Sequence, residues 1–217
     1  MNLKHYYYYF KSALSPKLCD DIINYGKQHK ADMAVTGGVG GDGNHKADGT
    51  LKKSVIKNIQ KKRKSDIVWM NDRWIYKEIH PYIHQANQSA GWNFDWDWSE
   101  SCQFTKYGVG QYYGWHCDSW EVPYNKPDDK NSHGKIRKLS VTISLNDPDE
   151  YDGGNLEFDF RNDTDYENDK TSKRLCTEIR PKGSMIVFPS FVWHRVTPVT
   201  RGLRQSLVMW SLGKPFV

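Results

Sequence analysis

The hydrophobic rhythm of this chain changes once, near Trp92. Before it, apolar positions recur at helical spacing, and after it they alternate as they do in strands. The aromatic run from Tyr6 to Leu14 reads as an opening strand. Ser15-Pro16 then supplies an N-cap serine and a proline at the first helical position. The helix it starts is predicted to reach about His29, with Leu18, Cys19, Ile22, Ile23 and Gly26 facing inward. Ile67 to Met70 reads as a short strand, and Asn71-Asp72 caps a second helix from Arg73 to Ser89. Its inward stripe is Trp74, Ile75, Ile79, Tyr82 and Ile83, and Pro81 is expected to kink or split it.

Beyond Trp92 eight strands are predicted: 102–107, 111–116, 137–145, 154–160, 175–179, 184–188, 194–196 and 204–210. Two polar stretches, 119–134 and 161–173, are too hydrophilic for a core and read as long surface loops. Two helices followed by about eight strands predict an α+β, mainly β fold. The architecture expected is a double-stranded β-helix (jelly roll) with N-terminal helices packed on one sheet. No repeat or linker divides the chain, so 1–217 reads as one domain, with helical support over about 12–90 and a β-helix core over about 100–212.

Composition narrows this picture only a little. The 9 Trp, 13 Tyr and 8 Phe suit a β-rich core with an aromatic-lined cleft. A net charge of +5 permits an acidic partner without demanding one. The basic run Lys52, Lys53, Lys57, Lys61, Lys62, Arg63 and Lys64 reads as a solvated face. The glycine-rich stretch 36–49 reads as a loop, with a lid over a site as the sharper alternative. Cys19, Cys102, Cys117 and Cys176 form no C-x-x-C pair, so free thiols in a reducing compartment are expected. No apolar run approaches the roughly 20 residues that a membrane span requires. The first residues also lack an apolar signal core, and the expectation is a soluble, cytoplasmic protein.

The chemistry concentrates in Trp115-His116-Cys117-Asp118 and, after 75 intervening residues, His194. Residues two apart on a strand share a face, so His116 and Asp118 are predicted to project together while Cys117 points away. Two imidazoles and one carboxylate make the facial triad of non-haem Fe(II), which leaves coordination positions open. Ten residues past His194, Arg204 could grip a carboxylate through two parallel hydrogen bonds, and Ser206 shares its strand face. Arg201 is the competing anchor, but it precedes a glycine in a predicted turn and is expected at the surface.

At these residues the chain resembles the 2-oxoglutarate/Fe(II)-dependent dioxygenases of the prolyl 4-hydroxylase type. The matching pieces are the run from Tyr107 to Asp118, Asp152-Gly153-Gly154-Asn155-Leu156, His194 to Val199, and Gly202 to Ser206. The resemblance is clear over roughly 100–212 and weaker back to about residue 12. Family members of the collagen type mostly carry lysine where Arg204 stands, so arginine is closer to the oxygen-sensing and bacterial types. The resemblance implies that His116, Asp118 and His194 bind Fe(II), and that Arg204 and Ser206 hold 2-oxoglutarate with help from the Tyr107 hydroxyl. It implies O2 as a further substrate and ascorbate as a candidate reductant. Trp210, and after it Trp120, are the candidates for touching the substrate, although aromatic packing would look the same. A peptide or protein substrate, most simply a peptidyl proline, is expected. A free amino acid or other small molecule, and a metal-binding cupin-like module without turnover, stay open. Nucleic acid is disfavoured, because the segment after His194 lacks the longer spacing to a paired arginine set.

Overall fold

Strict alternation along a strand sorts its side chains onto two faces, and this fold uses both faces of its larger sheet. The structure is a computed structural model that describes residues 3–35, 44–46, 48–160 and 172–216. The front of the chain holds β1 (Tyr8–Phe10), α1 (Pro16–Lys27), β2 (Asp32–Met33), α2 (Lys53–Lys62), β3 (Arg63–Lys64), β4 (Asp66–Met70) and α3 (Arg73–Ser89). Short β5 (Trp98–Ser99) leads into β6 (Cys102–Tyr107), β7 (Tyr112–His116) and β8 (Ile136–Ser144). Then come β9 (Tyr151–Gly153), β10 (Leu156–Asp159), β11 (Lys173–Leu175), β12 (Met185–Pro189), β13 (Trp193–Val196), β14 (Val199–Gly202) and β15 (Arg204–Gly213).

An eight-stranded antiparallel sheet runs in the order β1-β12-β8-β15-β6-β4-β2, with β5 pairing the far end of β15. A five-stranded sheet, β11-β10-β13-β7-β3, faces it, and β9 with β14 forms a two-stranded corner. On one face of the large sheet α1 and α3 bury Cys19, Ile22, Ile75, Ile79 and Ile83 against Phe104, Val141, Ile143, Leu207 and Met209. Gly26 permits the close approach of α1, since a Cβ there would lie 2.5 Å from the Phe104 ring. On the other face Ile186 and Phe188 meet Leu156 and Phe158 of the smaller sheet. The site lies between the sheets.

Ser15 caps α1 by accepting from the Leu18 N–H, as its sequence predicts. Three expectations need correction. The lysines of the basic run form a solvated face, but Lys53, Lys57, Lys61 and Lys62 belong to a third helix, α2, whose Val55, Ile56 and Ile59 face inward at helical spacing, and Arg63 just past it is buried on β3 instead of solvated. Trp74 is 37% exposed instead of buried, because Ile75, Ile79, Ile83 and Ala86 already fill the inward stripe of α3. Pro81 neither ends nor splits that helix. Several strands are also displaced by a few residues, notably β11, which precedes its predicted span. The segment 119–134 has no helix or strand, as expected, while 161–171 and most of the glycine-rich 36–49 stretch lie outside the described residues. All four cysteines are free. No described helix is long and apolar enough to cross a membrane.

Candidate active site

Strands β7 and β13 are neighbours, and their register sets His116 opposite His194. The two rings lie 4.1 Å apart between centroids. Asp118 follows just beyond β7, in a turn instead of on the strand that alternation predicts. The backbone N–H groups of Asp118 and Ser119 both donate to the Ser190 carbonyl, at 2.8 and 3.0 Å, and this turns the carboxylate inward. Asp118 Oδ1 lies 3.7 Å from His116 Nε2, and Oδ2 lies 3.6 Å from His194 Nε2. The three ligand atoms fall within 4.8 Å of one another, a spacing suited to one shared metal ion.

The surroundings settle which imidazole atoms face the centre. His116 Nδ1 lies 2.8 Å from the Gly114 carbonyl, and His194 Nδ1 lies 3.0 Å from the Val192 carbonyl. A carbonyl only accepts, so each Nδ1 carries the proton and each Nε2 keeps its lone pair for a metal. Burial, then the neighbouring His194, pushes the His116 imidazolium down to about 3, so the ring is neutral at ordinary pH. Burial pushes the Asp118 carboxyl up, but His194, His116 and Arg137 outweigh it and hold the group at about 2. Ser140 Oγ donates to Asp118 Oδ2 at 2.7 Å, and Ser190 Oγ lies 2.9 Å from Ser140 Oγ, so the second hydroxyl supplies the hydrogen to the first. Tyr113 stacks on His116 with centroids 3.5 Å apart, and Phe188 meets His194 edge-on at 4.8 Å.

One cavity runs from this cluster past Leu156, Val196 and Phe188 to Arg204, Ser206 and Tyr107. Arg204 sits on β15 in register with Tyr107 on β6, and only 3% of it is exposed. Its Nη1 donates to Ser206 Oγ at 3.2 Å, and its guanidinium carbon lies 5.4 Å from the Tyr107 ring centroid. Among the described residues no carboxylate pairs with it. Gly154 makes room for this side chain, since a Cβ there would lie 2.8 Å from Arg204 Cδ. Arg201, by contrast, is exposed on β14 and donates from Nε to Asp152 at 2.6 Å.

Residues 102–212 match the model of the 2OG-Fe(II) oxygenase superfamily. The chain belongs to that superfamily. Both ends of the cavity suit the groups that its name announces, a divalent iron at the two Nε2 atoms and the carboxylate, and a dicarboxylate at the unmatched guanidinium. A PKHD-type hydroxylase of Xylella fastidiosa (strain M12) is 36% identical over 109 residues, which is 50% of this chain and 42% of that protein. The chain therefore matches less than half the length of that relative. Among solved structures, the viral collagen prolyl hydroxylase of Paramecium Bursaria Chlorella virus-1 in its 2OG complex aligns with a TM-score of 0.62 at 21% identity, over 97% of both chains. A Pseudomonas putida prolyl-4-hydroxylase aligns at 0.65 and 18% identity, over 96% of this chain and 93% of that one. These two share the double-stranded β-helix with this chain.

The chain has a second, outer groove beside Asp118, lined by Trp69, Gln103, Trp120, Tyr124, Arg137 and Trp210 among others. Trp120 is 44% exposed there, whereas Trp210 is buried beneath the Arg137 guanidinium, 3.8 Å from its ring centroid. The Trp210 indole N–H faces Asp118 and helps to lower its pKa, yet no partner lies within ordinary hydrogen-bond geometry. Sequence reasoning did not find Ser140, Ser190, Tyr113 or Arg63. Strand alternation puts Ser140 on the site-facing side of β8, opposite to Leu139, Val141 and Ile143. Tyr113 lies three residues before His116, and Arg63 was hidden in a run of lysines.

Proposed function

We propose that this chain is an Fe(II)- and 2-oxoglutarate-dependent hydroxylase that acts on a C–H bond of a peptidyl proline. A single observation carries this reading. One buried cavity has three metal-donor atoms at one end and a guanidinium without a carboxylate partner, among the described residues, at the other. His116, Asp118 and His194 would hold the metal, and Arg204 with Ser206 would hold the distal carboxylate of 2-oxoglutarate beside Tyr107. Bound together with O2, these groups supply the oxidising power for hydroxylation, which no protein side chain has.

The chain's own residues prepare the place. The Gly114 and Val192 carbonyls fix both imidazole tautomers, and Ser140 aims the Asp118 carboxylate. Leu156, Phe188, Val196 and Val208 line the cavity and exclude water, which strengthens the grip of a charged pair such as Arg204 with a carboxylate. A peptide, rather than a free amino acid, is supported by the outer groove. Its exposed Trp69 and Trp120 offer flat apolar faces outside the metal cluster, where flanking residues of a longer substrate would lie. The names of the two solved prolyl hydroxylases of like fold agree with that choice. Tyr124 and Trp120 bring the segment 119–134 to the groove wall, where it could close on a bound peptide.

The test is turnover. Purified protein with Fe(II), 2-oxoglutarate and a panel of proline-containing peptides is expected to add one oxygen to a proline, read by mass spectrometry alongside oxoglutarate consumption. Oxygenation of free amino acids alone would replace the peptide reading with the small-molecule one. No oxoglutarate consumption with any substrate would leave a metal-binding module.

A further inference from the structure

Arg63 is a buried charge that the metal and oxoglutarate sites do not use. It sits on β3 at the end of the basic helix, and only 5% of it is exposed. Its Nε donates to Ser65 Oγ at 3.0 Å, and its guanidinium carbon lies 4.5 Å from the Tyr113 ring centroid. Tyr113 in turn stacks on His116, so the guanidinium is two stacked layers from a metal ligand. Among the described residues no carboxylate pairs with it. Arginine cannot shed its proton in a protein, so a buried guanidinium with one hydroxyl and one ring face is poorly compensated until an anion arrives.

Position says which anion. Arg63 lines both the inner cavity and the outer groove, whereas Arg204 lines the inner cavity alone. Arg63 therefore stands at the doorway between the co-substrate end and the aromatic groove. Arg137, the other guanidinium of the groove, is already taken by Glu100, with Nε to Oε1 at 2.9 Å. On the far side of His116 the wall that includes Trp115, Cys117 and Trp193 is rimmed by Lys61 and Lys62. The whole chain carries +5. An unmatched cation at the doorway, and lysines on a neighbouring wall that shares Tyr113 and Trp120 with the outer groove, fit a negatively charged substrate segment.

We infer that Arg63 selects an acidic peptide, pairing with a carboxylate beside the residue that is hydroxylated, while Lys61 and Lys62 steer that segment to the groove. The inference rests on the peptide-hydroxylase reading above. It makes Arg63 a residue of specificity, and it assigns no part in the chemical step to it.

The experiment compares matched proline peptides with Asp or Asn next to the proline, assayed at limiting peptide for oxygen incorporation. Wild type is expected to favour the Asp peptides by about tenfold in kcat/KM, the scale of one charge-assisted hydrogen bond. Arg63→Gln should bring that ratio near one, Arg63→Lys should restore part of it, and the KM for 2-oxoglutarate should not follow the ratio. Lys61→Gln with Lys62→Gln changes two exposed side chains and should lower the rate on Asp peptides at low ionic strength only. Should Arg63→Gln fail to fold, the wild-type ratio and the Arg63→Lys ratio still decide the matter. Equal rates on both peptides in wild type overturn the inference and leave the hydroxylase reading intact. A rise in the 2-oxoglutarate KM that tracks loss of the Arg63 charge also overturns it, because Arg63 would then serve the co-substrate. Oxygenation of neither peptide overturns the inference and the peptide reading together.

Discussion

Strand β15 presents two different chemistries from one backbone. Leu207 and Met209 point toward α1 and α3 and are sealed in an apolar core. Arg204, Ser206, Val208 and Trp210 point the other way and line the cavity between the sheets. The neighbouring strands keep the same parity. Leu139, Val141 and Ile143 of β8 join the helix-side core, and Ser140 of the same strand reaches Asp118. The first face stabilises by removing apolar area from water, at about 25 cal/mol per Å². Between the second face and the smaller sheet lie the buried charges of Arg204, Arg63 and Asp118, and taking such charges out of water opposes folding. One sheet thus holds the molecule together on one side and stores an electrostatic debt on the other, which bound metal and co-substrate would relieve.

The largest expected effect comes from breaking the apolar face. Phe104→Ala removes a fully buried ring that fills the space left by Gly26, and should destabilise the fold by about 3–5 kcal/mol in urea unfolding. Iron bound per folded molecule should stay at the wild-type level. Breaking the polar face should do the reverse. His194→Ala or Asp118→Ala should abolish Fe(II) binding and turnover while the apo protein unfolds at the wild-type urea concentration or above it. Stripping iron from wild type with a chelator should lower its melting temperature to that of the metal-free variants, which calorimetry would read.

Smaller effects sharpen the contrast between two arginines on adjoining strands. Arg204→Ala should raise the 2-oxoglutarate KM about tenfold to a hundredfold, because a buried carboxylate loses its charged partner. Arg201→Ala should move it by less than about twofold, because exposed ion pairs like that with Asp152 contribute little. The smallest effect belongs to Trp74→Ala. This partly exposed ring meets Tyr25 edge-on at 6.0 Å, and its removal should shift stability by about 1 kcal/mol or less.

The parity of these strands is also why so much could be read in advance. Period-two alternation, the two-residue step from His116 to Asp118 and the ten residues from His194 to Arg204 are local patterns that a short stretch of sequence displays. Asp118 shows where locality ends. Its strand-like spacing predicts the right neighbour, but the Ser190 carbonyl holds it in a turn, across 72 residues of chain. Ser140 and Arg63 reach the site through pairings between distant strands, which no window of sequence displays. Helix α2 was obscured because seven basic residues mask the short apolar stripe of Val55, Ile56 and Ile59. Trp74 stands one position before Ile75, about 100° round the helix from the stripe of Ile75, Ile79 and Ile83, so that ring turns toward solvent.

The central claim is that one cavity holds iron at the three-residue cluster and 2-oxoglutarate at Arg204. Anaerobic calorimetric titration tests it most directly, first with Fe(II) and then with 2-oxoglutarate, on wild type, His194→Ala and Arg204→Ala. The account predicts one iron per wild-type chain, with 2-oxoglutarate binding tightly only once iron is present. His194→Ala should lose the iron step, and Arg204→Ala should keep iron while its 2-oxoglutarate binding weakens by about tenfold or more. Wild-type iron affinity in His194→Ala, or wild-type 2-oxoglutarate affinity in Arg204→Ala, would contradict it.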